Sequence, residues 1–199
     1  MIVEFALSLA LTAPEMPEVQ VTQVQFSEPV QQVITYPPNG VLNMLSGLDL
    51  PADTNDAFQN DFLDGSIFFG AFAITKDFGY GYVTGANSLE GARDIALAEC
   101  LKHGDRCLIF AEILPEGFAP LERGQVSMSA EPADYYRNPD PTWGSFRAMA
   151  ISEDGAYSVV WNYGSTAEAE QAALADCTGY VITDLTDLRD MPCILVPFK

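Results

Sequence analysis

The alternation of hydrophobic and polar positions predicts one unit of secondary structure that occurs twice. Residues 69–75 show the two-residue period of a strand, and a hairpin turn with a second strand, residues 80–83, comes next. An alanine-rich helix that ends at Cys100 and an apolar strand that begins at Cys107 complete the unit. The prediction is a ββαβ order in which one helix packs on a mainly antiparallel sheet.

A second copy of this pattern lies 77 residues further along the chain. Residues 69–100 and 146–177 align without a gap, and 13 of the 32 positions are identical. Cys193 opens an apolar stretch, as Cys107 does, but the second copy has nine more residues between its two cysteines. The sequence therefore predicts an α+β protein built from two tandem ββαβ repeats.

Small side chains recur on one stripe of both helices. Alanines follow each other at four-residue steps through Ala96 in the first copy and Ala173 in the second. The first strand of each copy also carries alanines, so we expect each helix to lie close over its sheet. Ser165 begins a capping box before the second helix, and Asn87 offers the same spacing before the first.

The four cysteines occupy equivalent places in the two copies. This placement predicts one disulfide in each unit, Cys100 with Cys107 and Cys177 with Cys193, and hence an oxidising compartment. The alternative is four reduced, buried thiols in a cytosolic protein.

The first 13 residues form an apolar run that ends in small residues. Such a run is typical of a secretory signal peptide, although Glu4 lies inside it and no basic residue precedes it. It is too short to span a bilayer, which needs about 20 residues. With the cysteines, it predicts a periplasmic or secreted protein. We divide the rest into an acidic, proline-containing extension, a first repeat unit, a proline-rich linker and a second repeat unit, at residues 14–63, 64–118, 119–142 and 143–199.

The net charge of the chain limits the classes of partner that it is expected to bind. The chain of 199 residues has 28 acidic and 9 basic side chains, a net charge of −19. Binding to nucleic acid or to an anionic membrane surface needs clustered lysine and arginine, which this sequence lacks. We therefore expect an unknown protein or another component of the cell envelope as the partner, and no nucleic acid.

Few residues are suited to catalysis. His103 is the one histidine, and it stands beside a glycine at the predicted helix end, where capping is the simpler interpretation. We predict no catalytic residue and no cofactor. Asp184, Asp187 and Asp190 are weak candidates for a calcium site, the alternative being a solvated acidic loop.

Aromatic side chains mark a candidate binding surface in the second copy. Tyr157, Trp161 and Tyr163 alternate onto one strand face. An exposed face of this kind suits a glycan or a protein partner, whereas a covered face is part of the core.

The motifs of the repeat also suggest a family. Gly-Ala-Phe-Ala-Ile, a hairpin, a helix with Ala-x3-Ala-Leu-Ala-x-Cys and a second cysteine that opens a strand resemble the bacterial domain of unknown function 4189 family. Residues 69–110 carry the resemblance well, and residues 146–196 carry it with departures such as Arg147 in place of Gly70. The resemblance implies small secreted or envelope domains with a paired-cysteine ββαβ unit, and brings no catalytic residues.

These observations predict a non-enzymatic secreted or cell-envelope protein with a binding or structural role. The alternatives are a small hydrolase that uses carboxylates and a calcium-dependent binding module. A pocket between the two units, lined by residues that differ between the copies, favours binding. A solid interface between them favours a structural role.

Overall fold

The computed structural model describes residues 30–65 and 68–198, so the signal-like segment and residues 14–29 of the acidic extension lie outside the described part. A π-helical turn, Phe58–Leu63, continues the first helix. The strands and helices of the described part are β1 (Gln32–Thr35), β2 (Gly40–Met44), α1 (Ala52–Ala57), β3 (Phe69–Thr75), β4 (Tyr80–Ala86), α2 (Leu89–Leu101), β5 (Cys107–Pro115), β6 (Gln125–Met128), α3 (Ala130–Arg137), β7 (Ala148–Ile151), β8 (Tyr157–Val160), α4 (Thr166–Thr178) and β9 (Ile194–Val196).

The structure confirms the α+β class, and both repeats have the ββαβ order. In unit 1, β3 lies between β4 and β5, and β2 from the extension adds to β5, giving the order β2-β5-β3-β4. In unit 2, β7 lies between β8 and β9. All pairings in these two sheets are antiparallel. The units therefore have the same topology, in two separate sheets.

Each repeat helix packs on its sheet through the predicted alanines. Ala96 of α2 is fully buried in one cluster with Ala71 and Ala73 of β3. Ala173 of α4 is buried in the same way with Ala148 and Ala150 of β7. Because these side chains are small, the backbones of helix and sheet come close to each other.

The serines at the starts of the helices act as N-caps. The hydroxyl of Ser88 accepts the backbone N–H of Gly91 at 2.9 Å, and the hydroxyl of Ser165 accepts that of Glu168 at 3.3 Å. Asn87, where the sequence offered the capping spacing, precedes the cap by one residue. Its side chain has another role, described below.

The structure confirms both predicted disulfides, Cys100–Cys107 and Cys177–Cys193. In each unit the bond joins the last turn of the helix to the region where the third strand begins. Cys100 and Cys177 are fully buried at equivalent places beneath their helices. The disulfides therefore fix the same helix–strand connection twice.

The second face of each sheet is covered by non-repeated segments. In unit 1, Phe58 and Phe62 of the α1–π-helical segment pack on Phe72 and Phe110. In unit 2, Met128 of β6 and Ala133 of α3 pack on Met149. Residues 119–142, interpreted from the sequence as a linker, thus contain a strand and a helix that complete the core of unit 2. The strand β6 also pairs in parallel with β1.

Candidate functional site

Asn87 joins unit 1 to unit 2 and to the segment between them. Its Nδ2 donates to the carbonyl of Ser152 at 2.7 Å, and its Oδ1 accepts the N–H of Ser129 at 2.6 Å. Its own backbone N–H donates to the carbonyl of Glu153 at 3.0 Å. Asn87 is buried, and these hydrogen bonds hold the junction between the units together.

The insert between the cysteines of unit 2 packs on the helix of unit 1. Leu185 and Met191 are buried against Ile95 and Ala98 of α2. The aspartates of this insert, Asp184, Asp187 and Asp190, are exposed. The insert is therefore an amphipathic clasp between the units and not simply a solvated acidic loop. We refer to residues 182–191 as the clasp.

Arg189 of the clasp forms ion pairs with both units. Its guanidinium donates to the carboxylates of Asp94 in α2 and Glu153 in the β7–β8 hairpin. The hydroxyl of Ser88 also donates to Glu153, at 3.0 Å. The hydrogen bond from Arg189 to Glu153, reinforced by Asp94, raises the pKa of the Arg189 guanidinium above its usual value. This cation is therefore permanent, and its single charge is shared by two carboxylates at the junction.

A cleft of about 660 Å³ lies between the units beside this junction. Its walls come from α2, β6, the end of β7 and the start of β9. The walls are mostly apolar, and the side chains responsible are Leu121, Val126, Ile151, Pro192 and Ile194. Charged residues border them at Glu90, Arg93, Asp94, Glu153 and Arg189. The two units therefore border a cleft beside the packed contacts made by Asn87 and the clasp.

The charged residues of the cleft differ between the copies. Arg93 corresponds to Glu170 at the repeat offset of 77, and Glu153 corresponds to Lys76. Glu90 corresponds to an alanine. The charges that border the cleft are therefore specific to one copy each and are not part of what the two copies share.

Most charges in the cleft are already paired. Arg93 donates to Glu112 of β5 at 2.6 Å, and Asn43 donates to the second oxygen of that carboxylate at 3.1 Å. Asp94 and Glu153 both bind Arg189. Glu90 is exposed, and within the described part of the chain it has no ion pair. The cleft thus combines apolar walls with one unpaired carboxylate.

The aspartates proposed as calcium ligands do not form a site. No group of three or more histidine, cysteine or acidic residues within residues 30–65 and 68–198 is arranged to hold a metal ion. Asp184, Asp187 and Asp190 belong to this part of the chain, and each points to solvent from the clasp. Their spacing follows the outer face of the clasp.

The aromatic residues proposed as a binding surface divide into covered and exposed members. Tyr157 lies against Tyr135 of α3 and is half-buried, whereas Trp161 is 42% and Tyr163 is 40% exposed. Trp143 stacks on Trp161, with 4.5 Å between ring centroids and 10° between planes. Burial and a hydrogen bond to Glu131 raise the pKa of Tyr157 above its usual value.

Sequence reasoning missed two rings of this surface. Tyr135 comes from residues interpreted as a linker, and Trp143 is the first residue of the segment assigned to unit 2, so their nearness to Trp161 had no local signal. The density of aromatics over residues 135–143 was the one available hint. His103 lies elsewhere, exposed at the end of α2, with its ring 6.4 Å from that of Tyr80.

Comparisons with known proteins do not identify the chain. No family model matches it, and neither the curated proteins nor the solved structures include a significant match. The resemblance to the domain of unknown function 4189 family therefore stays a prediction. None of the helices in the described part of the chain has the length and hydropathy that a membrane span requires.

Proposed function

We propose that this is a non-enzymatic secreted or cell-envelope protein that binds an apolar ligand group in the cleft between its two units. The cleft itself carries the proposal. Its walls are mostly apolar, and the charged residues Glu90, Arg93 and Glu153 at its border differ from their counterparts in the other copy. Ligand sites in proteins are usually concave and mostly apolar, with a few polar groups that orient the ligand.

The disulfides support the extracytoplasmic location. Disulfides persist mainly in oxidising compartments, and both pairs of this chain bridge equivalent helix ends. The resemblance to a family of secreted or envelope domains agrees with this location, as does the signal-like pattern of residues 1–13. The predicted partner is therefore a molecule met outside the cytoplasm.

The arrangement of carboxylates favours binding over hydrolysis. A carboxylate-based hydrolase needs two acids at the reacting bond, one as general acid and the other as general base or nucleophile. Asp94 and Glu153 are held by Arg189, and Glu112 is held by Arg93. Glu90 is therefore the one acid at the border of the cleft without an ion pair among the described residues. The cleft lacks the second free carboxylate that a hydrolase needs.

A titration with Nile red tests the cleft. This dye is neutral, so its affinity reports apolar volume without interference from the charge of the protein. We expect saturable fluorescence with one dye per chain. Leu121→Asp places a charge in the apolar wall and is expected to weaken binding about tenfold, the equivalent of 1.4 kcal/mol.

The control for this titration is Tyr180→Asp. Tyr180 is 67% exposed and does not line the cleft, so this variant adds the same charge at a distant surface of unit 2. It should leave the stoichiometry and the affinity unchanged. The proposal fails if the wild-type chain shows no saturable binding, or if Tyr180→Asp weakens binding as much as Leu121→Asp does. Leu121→Trp is a second variant for use if Leu121→Asp folds poorly. It fills the cleft with an apolar ring and should therefore also reduce dye binding.

A further inference from the structure

Exposed apolar side chains lie along strand β2 and the segment that follows it. Six large residues are between 41% and 56% exposed: Val41, Leu42, Met44, Leu45, Leu48 and Leu108 of the adjacent strand β5. We call these six residues the β2 patch. Leu42 and Met44 share one face of the strand and Val41 lies on the other, and a concentration of exposed apolar side chains of this kind marks an interaction site in a folded protein. The patch is separate from the cleft, since none of its residues lines the cleft.

Strand β2 is also an open edge of the sheet. It is the outermost strand of the order β2-β5-β3-β4, and in the described part of the chain β5 is its one neighbour. Among residues 30–65 and 68–198, no strand pairs with the N–H and C=O groups that point away from β5. At the opposite edge, Gly155 of the unit 2 hairpin packs against Gly85 at the end of β4. The β4 edge is thus in contact with unit 2 near Gly85, whereas no described strand pairs with the outer side of β2.

The usual protections against strand pairing are missing from β2. Proteins block open edges with charged residues, prolines or bulges. Residues 39–48 contain no charged residue and no proline. The pairing of Gly40–Met44 with β5 runs through five consecutive residue pairs without a bulge. The edge is therefore regular, neutral and apolar, which is the form that accepts a further strand.

We propose that β2 pairs antiparallel with β2 of a second copy of this chain, across a two-fold axis. The two four-stranded sheets then form one continuous sheet of eight strands. A two-fold interface brings identical patches together, so an apolar row that complements itself is what it requires. Paired strands share a face, and Leu42 pairs with Ile113 of the phenylalanine-rich core. The dimer therefore extends the core of unit 1.

Charge favours a second copy over a partner chosen by its charge. Each chain has a net charge of −19, so two copies repel each other over most of their surface. The stretch 39–48 is neutral, and two copies can approach there with the least repulsion. A basic partner attracted by the acidic surface finds no carboxylate in this stretch.

Mass measurement of the full chain tests the dimer. Light scattering or sedimentation at tens of micromolar should give the mass of two chains for the wild type. Leu42→Lys and Met44→Lys should each weaken the dimer about tenfold or more, because they bury a cation in the interface. The control is Tyr180→Lys, at an exposed residue of unit 2. All three variants change the net charge equally, and this change alone reduces repulsion between copies.

A cysteine scan keeps the test decisive if a lysine variant folds poorly. The four native cysteines are paired, so a new cysteine is the one free thiol among the described residues. We expect Val41→Cys, Leu42→Cys or Met44→Cys to form dimers linked by a disulfide, and Tyr180→Cys to stay unlinked. The proposal is wrong if the wild type has the mass of one chain throughout this range. It is also wrong if the β2 variants behave like the Tyr180 controls in both experiments.

Discussion

Unit 1 and unit 2 have the same strand order and the same disulfide connection, but their sheets are completed differently. A helical segment from the N-terminal extension covers the second face of unit 1, and β6 with α3 covers that of unit 2. The repeated residues carry the contacts between helix and sheet within each unit. The non-repeated residues cover the outer faces, and together with α2 and the end of β7 they line the cleft. The comparison teaches that topology is set by the repeat, whereas the candidate binding site needs both repeat units and the segments between and after their helices.

The two units also differ in how closely the helix approaches the sheet. A Cβ at Gly81 of β4 would lie 2.2 Å from the backbone nitrogen of Cys100 in α2, so only a glycine fits under this helix. The equivalent residue of unit 2 is Ser158, whose hydroxyl donates to Asp176 of α4 at 2.7 Å. Unit 1 therefore has the tighter contact, and unit 2 has a hydrogen bond in its place.

The largest effect that separates the units is expected from Arg93→Ala. This substitution leaves the carboxylate of Glu112, whose side chain is 2% exposed, without its cation. Arg93 itself is partly exposed, but a buried carboxylate that loses its cation costs about 3 kcal/mol in the free energy of unfolding. Glu170 is the equivalent of Arg93 in unit 2 and is exposed, so Glu170→Ala should cost less than about 0.5 kcal/mol. Urea denaturation measures both. Equal effects would show that the pair does not distinguish the units.

Replacing each disulfide by two serines is expected to rank next. The bonds close loops over sequence separations of 7 and 16 residues. The entropy of these loops corresponds to about 2.5 kcal/mol in unit 1 and about 3 kcal/mol in unit 2. Denaturation curves of the two double variants measure the difference.

Protein isolated without reductant from the cells that make it should show no free thiol on titration, and four free thiols would remove the basis for an oxidising compartment.

A smaller contrast is expected from the glycine and serine beneath the helices. Gly81→Ala forces the helix away from the sheet and should cost about 2 kcal/mol in the free energy of unfolding. Ser158→Ala removes one hydrogen bond to Asp176, and its cost should be about 1 kcal/mol. Thermal or chemical denaturation of the two variants gives the order. If Ser158→Ala were the more destabilising change, the closer packing of unit 1 would be contradicted.

The smallest effect concerns the pH dependence of unit 2. Burial and Glu131 raise the pKa of Tyr157 above its usual value near 10, so the folded protein keeps this proton where the unfolded chain has lost it. The contribution to stability is full below pH 10 and declines as the pH rises further. Absorbance titration of the phenolates should find one late-titrating tyrosine fewer in Tyr157→Phe. Tyr163→Phe is the control, and the same loss in this variant would show that Tyr157 is not the late group.

The topology of each unit could be predicted because its determinants are local. The alanines of β3 and α2, the hairpin and the cysteine pair all lie within a short stretch of sequence. The site could not be predicted in the same way, because Asn87, Trp143 and the clasp act on residues far from them in the chain. The apolar residues between the aspartates of the clasp were visible in the sequence. Only the structure shows that α2 of unit 1 is what they cover.

The clasp also determines how the protein loses its structure. Leu185 and Met191 belong to unit 2 by their position in the sequence, but they share a buried cluster with Ile95 of unit 1. Opening either unit therefore exposes apolar surface of the other, which couples their free energies. No strand pairing joins the two sheets, but their free energies of unfolding are coupled. Heat or denaturant should therefore unfold both in a single cooperative transition. A duplicated sequence has in this way become one folding unit.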